Sequence, residues 1–169
     1  MKSHGTGEIN LKLLYYLGQN VILESGVLIF HPENISLSDG VYVGHNTILK
    51  AYYKNKLIIG KGTWIGQQCF FHSAGGINIG KNVGIGPGVK ILTSSHMDVN
   101  PNKPILHQQL KFAPVVIEDD SDLGVNSVIM PGVIIKKGTQ VGAGAVVTKS
   151  FPQYSVIAGV PAKVIKMRK

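Results

Sequence analysis

Cysteine, acidic residues and aromatics are all scarce in this chain of 169 residues, and each shortage removes a class of protein. A single cysteine, Cys69, excludes an internal disulfide framework and fits a reducing cytoplasm. Its ordinary role is that of a small buried residue. Charged residues make up 15% of the chain and hydrophobic ones 44%, too little charge for disorder and enough apolar material for a core. No apolar run approaches the roughly 18 residues of a membrane-spanning helix, so membrane insertion is not expected. The opening MKSHGTGEIN has no apolar h-region and reads as a cytoplasmic start rather than a secretory signal. Acidic side chains number 9 against 17 basic ones, a net charge of +8. The lysines are scattered, apart from the ending KVIKMRK, and no basic run interleaves with aromatics. A phosphorylated small molecule or a plain solvated surface suits that pattern better than nucleic acid, which is not an expected partner.

Glycine is abundant, at 21 residues, and suits a protein of short strands and tight turns. From residue 117 an aliphatic residue returns every six positions: Ile117, Leu123, Ile129, Ile135, Val141, Val147. Small or β-branched residues follow four places later at Ser121, Ser127, Val133, Thr139 and Ala145. Earlier hexads begin at 59, 65 and 71, slip by two residues, and resume at 79, 85 and 91; fainter copies start at Leu37, Val43 and Leu49. A period of six is a short strand plus a corner. Three such units close a triangular coil of about 18 residues, and stacked coils form an all-β parallel β-helix with a column of aliphatics inside. The single domain divides into 1–36 as irregular N-terminal coils or a cap, 37–96 and 114–150 as hexapeptide coils, 97–113 as an external loop, and 151–169 as a C-terminal capping segment. The period does not give the hand of the coil, and parallel crossovers are generally right-handed.

The array IGKNVGIGPGVKIL, the break after TSSH and the closing VGAGAVVTKSFPQYSVIAGVPAKVIK resemble the hexapeptide-repeat acyltransferases, most nearly the sugar O-acetyltransferases of the galactoside and maltose type. The resemblance covers roughly residues 57–169 well and the first 56 poorly. It implies a left-handed β-helix, a homotrimer, acetyl-CoA as cosubstrate with no metal required, and a sugar or nucleotide-sugar acceptor.

By the same resemblance the loop at 97–113 walls a cleft between subunits, and His96 at its base is the catalytic base. A neutral imidazole accepts the acceptor's proton as the oxygen attacks, help worth about 10²–10⁴ in rate. Motif position places Gly124 and Val125 near the thiol end of the cofactor, Ala143 at a pantetheine amide, Thr148 and Lys149 along its middle and phosphate regions, and Lys163 and Lys166 at its phosphates. Acceptor contacts are weaker candidates: Gln68, His72, Asp98 and His107. Gln68 stands where close relatives carry asparagine, and the tryptophan they carry in the coil after the loop is replaced within EDDSDLGVNS. The acceptor is therefore open between a sugar hydroxyl and the amine of a nucleotide-linked amino sugar, with an antibiotic third. A zinc enzyme of the γ carbonic anhydrase kind wants two histidines five apart, and no pair here has that spacing. A non-catalytic repeat module has no need of the loop or of the VVTKS and AGVPAK endings.

Overall fold

The computed structural model describes residues 3–97 and 100–168. The chain winds as a left-handed parallel β-helix of three faces. The first face stacks Tyr16–Leu17, Ile35–Leu37, Leu57–Ile59, Ile77–Ile79, Val115–Ile117 and Ile134–Ile135. The second stacks Ile22–Leu23, Tyr42–Val43, Trp64–Ile65, Gly84–Ile85, Asp122–Leu123, Gln140–Val141 and Ser155–Ala158, with Lys163–Met167 added antiparallel. The third stacks Leu28–Phe30, Ile48–Lys50, Phe70–His72, Lys90–Leu92, Val128–Ile129 and Val146–Val147. Among the described residues no helix is long and apolar enough to cross a membrane.

The hexad aliphatics point inward. Ile117, Leu123, Ile129, Ile135, Val141 and Val147 are each no more than 2% exposed. The residue four places on also turns inward, where an unpaired buried hydroxyl costs about 1–3 kcal/mol. Ser127 and Thr139 find no partner among the described residues, and other hydroxyls do. The Thr47 and Thr63 hydroxyls donate to Gly66 O and Gly80 O in the following coil, each at 2.9 Å. Corners use left-handed backbone: Asn46, Gln68, Asn82 and Asn126 have φ between 54° and 58°.

Segment 1–36 holds a full coil, since Tyr16–Leu17, Ile22–Leu23 and Leu28–Phe30 all pair in register with the next one. The stacking register reaches back to Tyr16, although few of the segment's residues show a hexad. All irregularity of the repeat sits on one vertex, between the third face and the first. There the regular step is five positions, from Ile129 to Ile134, as it is at the corners of the other two vertices. The equivalent steps are seven from Ile29 to Ser36, nine from Leu49 to Ile58, seven from Phe71 to Asn78 and twenty-five from Ile91 to Val116. The two-residue slip and the long loop are therefore one phenomenon.

Candidate active site

The coil is left at Thr93, three residues ahead of the expected loop boundary. Ser94–His96 pairs antiparallel with Leu110–Phe112, so His96 lies opposite Leu110 on a two-stranded ribbon rather than on the coil. Beyond the ribbon the chain is held by Gln108, a buried side chain whose amide donates to Asn100 O at 2.6 Å and Lys103 O at 2.9 Å. Nothing in a single polar residue of a polar segment marked Gln108 beforehand.

Ribbon and bulged corners enclose a hollow of about 690 Å³, lined by Tyr52, Tyr53, Lys54, Asn55, His72 and Ala74 on one side and Ser94–His96, Leu110 and Phe112 on the other. His96 is exposed at its edge. His72 is half-buried and shares a 2.8 Å hydrogen bond between Nε2 and the Tyr52 hydroxyl. Burial, and then the nearby Lys50 ammonium, lowers the His72 pKa below the ordinary imidazole value. Burial raises that of Tyr52. The pair is thus neutral near pH 7 and adds a polar but uncharged wall. Tyr52 was not anticipated: its partner lies 20 positions away, a separation that matches no hexad multiple.

The other candidates fall in two groups. His107 is exposed in the short turn Ile105–His107 and does not line the hollow. Asp98 lies outside the described residues. Thr148 and Lys149 follow the third face and so share the bulged vertex with His96, two coils further on. Gln68, Gly124, Val125 and Ala143 occupy the vertex between the second and third faces, across a whole face from His96 of the same chain. Gln68, expected beside His96, is not brought to it within one chain. It is the left-handed corner residue, φ 58°, pointing to solvent.

That second vertex is built for close approach. A Cβ on Gly124 would come 2.5 Å from the Ala143 nitrogen, so the two coils touch there through backbone. Among the described residues the amide N–H groups of Val125 and Ala143 have no hydrogen-bond partner, and both residues are exposed. Lys163 pairs with Ala158, which lies against Gly142 on the same vertex, while Lys166 pairs with Val156 on the second face. Neither lysine is in an ion pair among the described residues. Free backbone donors ending in two unpaired cations fit a long ligand with amides at one end and phosphates at the other.

A triangular β-helix interrupted at one vertex defines a hexapeptide-repeat protein. Residues 56–92 and 114–149 match the family described as the hexapeptide repeat of succinyl-transferase, and the chain is a hexapeptide-repeat protein with that architecture. A Schizosaccharomyces pombe protein named as an acetyltransferase is 36% identical over 108 residues, 63% of this chain and 51% of its own. The chain thus spans about half the length, or less, of the curated relatives it matches. Among solved structures, a variant of AntD, an N-acyltransferase from Bacillus cereus in complex with dTDP and coenzyme A, superposes with a TM-score of 0.83 and 25% identity over 92% of this chain and 85% of that one. A maltose O-acetyltransferase from Clostridium difficile 630 gives a TM-score of 0.70 and 26% identity over 94% and 72%.

Proposed function

We propose that the protein is an acetyl-CoA-dependent acetyltransferase acting on a hydroxyl of a sugar or saccharide, in sites shared between adjacent copies of a homotrimer. The observation that carries this is the split of the candidate residues. His96 and the hollow stand on one vertex, and the free amide donors stand on another. The third face lies between them, and its outer column is apolar at Leu28, Ile48, Phe70, Val128 and Val146, with Lys90 alone breaking it between Phe70 and Val128. If that face packs around a threefold axis, each His96 vertex meets a neighbour's Gly124 vertex and the two halves close one cleft. The exposed apolar residues on the loop, Ile105 and Leu106 at 58% and 72%, then have a neighbour to cover them.

Acetyl-CoA supplies the acetyl thioester. Val125 and Ala143 N–H groups hold its amides, and Lys163 and Lys166, with Lys149 of the adjoining copy, hold its phosphates. The acceptor lies in the hollow, where Tyr52, Tyr53 and Phe112 cover its apolar face and Asn55 offers it hydrogen bonds. His96 takes the proton of the attacking hydroxyl and returns it to the departing thiol, so the imidazole ends as it began. Gln68 of the adjoining copy donates to the carbonyl oxygen as negative charge builds there.

A second reading has one observation in its favour. The AntD complex carries dTDP, and here Lys54 lines the hollow with Lys50 close by, cations that suit the phosphates of a nucleotide-linked amino sugar. One assay separates the two: thiol release from acetyl-CoA with free sugars, nucleotide-sugars and amino sugars, wild type against His96→Ala. Turnover falling by about 100-fold or more in the variant supports the base, and the reacting acceptor decides between oxygen and nitrogen. Undiminished turnover in the variant removes His96 from the mechanism.

A further inference from the structure

The second face carries an aromatic stack with one side left open. Its outer column runs Ile22, Tyr42, Trp64, Gly84, Asp122, Gln140 in successive coils. Tyr42 and Trp64 lie parallel, 2° apart, with centroids at 5.6 Å. Stacking between neighbouring strands explains the ring face turned toward Tyr42. It does not explain the other. The next position holds glycine, and a Cβ there would have no Trp64 atom within 4 Å. Trp64 is 45% exposed.

Beyond the gap stands Asp122. A Cβ on Gly84 would meet its Oδ1 at 2.7 Å, so the carboxylate leans over the glycine toward the space beside the ring. It makes no ion pair or side-chain hydrogen bond among the described residues. Coils stack at about 4.8 Å, so Trp64 and Asp122 stand roughly 10 Å apart with only a glycine between. The leaning carboxylate takes part of that interval, and the rest admits one six-membered ring laid on the indole with the hydroxyls of its far side toward Asp122.

We propose that this notch binds a pyranose, its C–H face on Trp64 and two of its hydroxyls donating to Asp122. A ring with an apolar face and a rim of donors uses both features at once, whereas a purely apolar ligand has no use for the aspartate. An organic ammonium is the competing ligand, and saturation by choline with none by the sugars would overturn the proposal. The site rests on the saccharide reading above. It spans the coils from Trp64 to Asp122, ends beside Gly124 on the acceptor side of the proposed cofactor groove, and so would hold a further unit of an acceptor whose reacting ring lies in the hollow of the adjoining copy.

Trp64 is the chain's one tryptophan, so indole emission reports this notch alone and needs no turnover. We expect a saturable change in emission on titration with galactose, N-acetylglucosamine or maltotriose. Asp122→Asn should weaken it about 10-fold or more, and Gly84→Val should abolish it by filling the gap with a strand-favouring side chain. Gly84→Ser serves should the valine variant not fold. No saturable change with any of the three sugars, or an unaltered titration in the filled variants, overturns the proposal. So does free protein whose emission is already that of a buried indole, because a neighbouring copy then covers the notch. Sugar binding without acetyl transfer would instead retain the notch and remove the transferase reading.

Discussion

Two inactive variants should restore each other if the site is split between copies. His96→Ala removes the base from the bulged vertex, with a loss of about 10²–10⁴ in rate. Ala143→Phe fills the exposed surface over the other vertex without touching the core, since Ala143 is outward-facing and exposed. In a trimer assembled at random from equal amounts of both, each cleft joins one bulged vertex to one cofactor vertex. A working cleft needs its histidine from an Ala143→Phe chain and its alanine from a His96→Ala chain, which happens in about a quarter of clefts. The assay is thiol release after the two variants are unfolded together and refolded, against each refolded alone. Recovery to roughly 25% of wild type is the expected result. If both vertices served one site within a chain, no mixture could place a good histidine with a good alanine, and activity would stay at the level of the separate variants. That outcome would refute the split.

The remaining predictions concern the hollow and the core. Burial, then Lys50, holds His72 below its ordinary pKa of 6.5, so the unfolded chain binds the proton first as pH falls. The stability present above pH 6.5 should therefore be lost as acid carries the protein down toward the lowered value, and His72→Gln should flatten that loss in denaturant titrations from pH 8 to 5. Phe71, fully buried at the centre of the coil stack, should cost about 3–5 kcal/mol when cut to alanine, seen as a lower denaturant midpoint. A shift below about 1 kcal/mol would mean that the column repacks around the gap.

Sequence legibility followed the period. Every inward hexad residue from Ile117 to Val147 is buried as the spacing requires, because one position per strand decides burial in a coil of this size. A break close to His96 was also legible, although the coil ends at Thr93, three residues before the expected boundary. What the linear reading missed depends on closing the coil. The distance of Gln68 from His96 follows from which corner each occupies, and the slip between hexads hides that until the coils are stacked. Tyr52 with His72 and Tyr42 with Trp64 are partners 20 and 22 positions apart, the first across differently bulged corners, so no fixed period finds both pairs. The coil from Tyr16 to Phe30 was obscure for another reason. It is the last coil of the stack among the described residues, and its inward residue Leu17 remains 39% exposed where the counterparts Leu37 and Ile59 in the next two coils are fully buried.

The vertex that carries His96 is extended in four successive steps, by two, four, two and twenty positions, while corners of the other vertices keep their regular five. Insertions tolerated merely as surface variation have no reason to gather on one vertex. Each extension adds to the wall of the hollow or its upper rim: His31, then Tyr52 to Asn55, then Ala74, then the ribbon. The proposed site thus takes in the whole bulged edge and not the loop alone, and deleting Tyr52–Asn55 tests this directly. The deletion returns the step from Leu49 to Ile58 to five and leaves the inward residues Leu49, Ala51 and Leu57 in place. The β-sheet signal in circular dichroism and the proposed trimer should survive, while the acceptor KM rises by about tenfold or more as the aromatic wall goes. Loss of folding would show that the bulge closes the coil. An unchanged KM in a folded trimer would place the acceptor elsewhere.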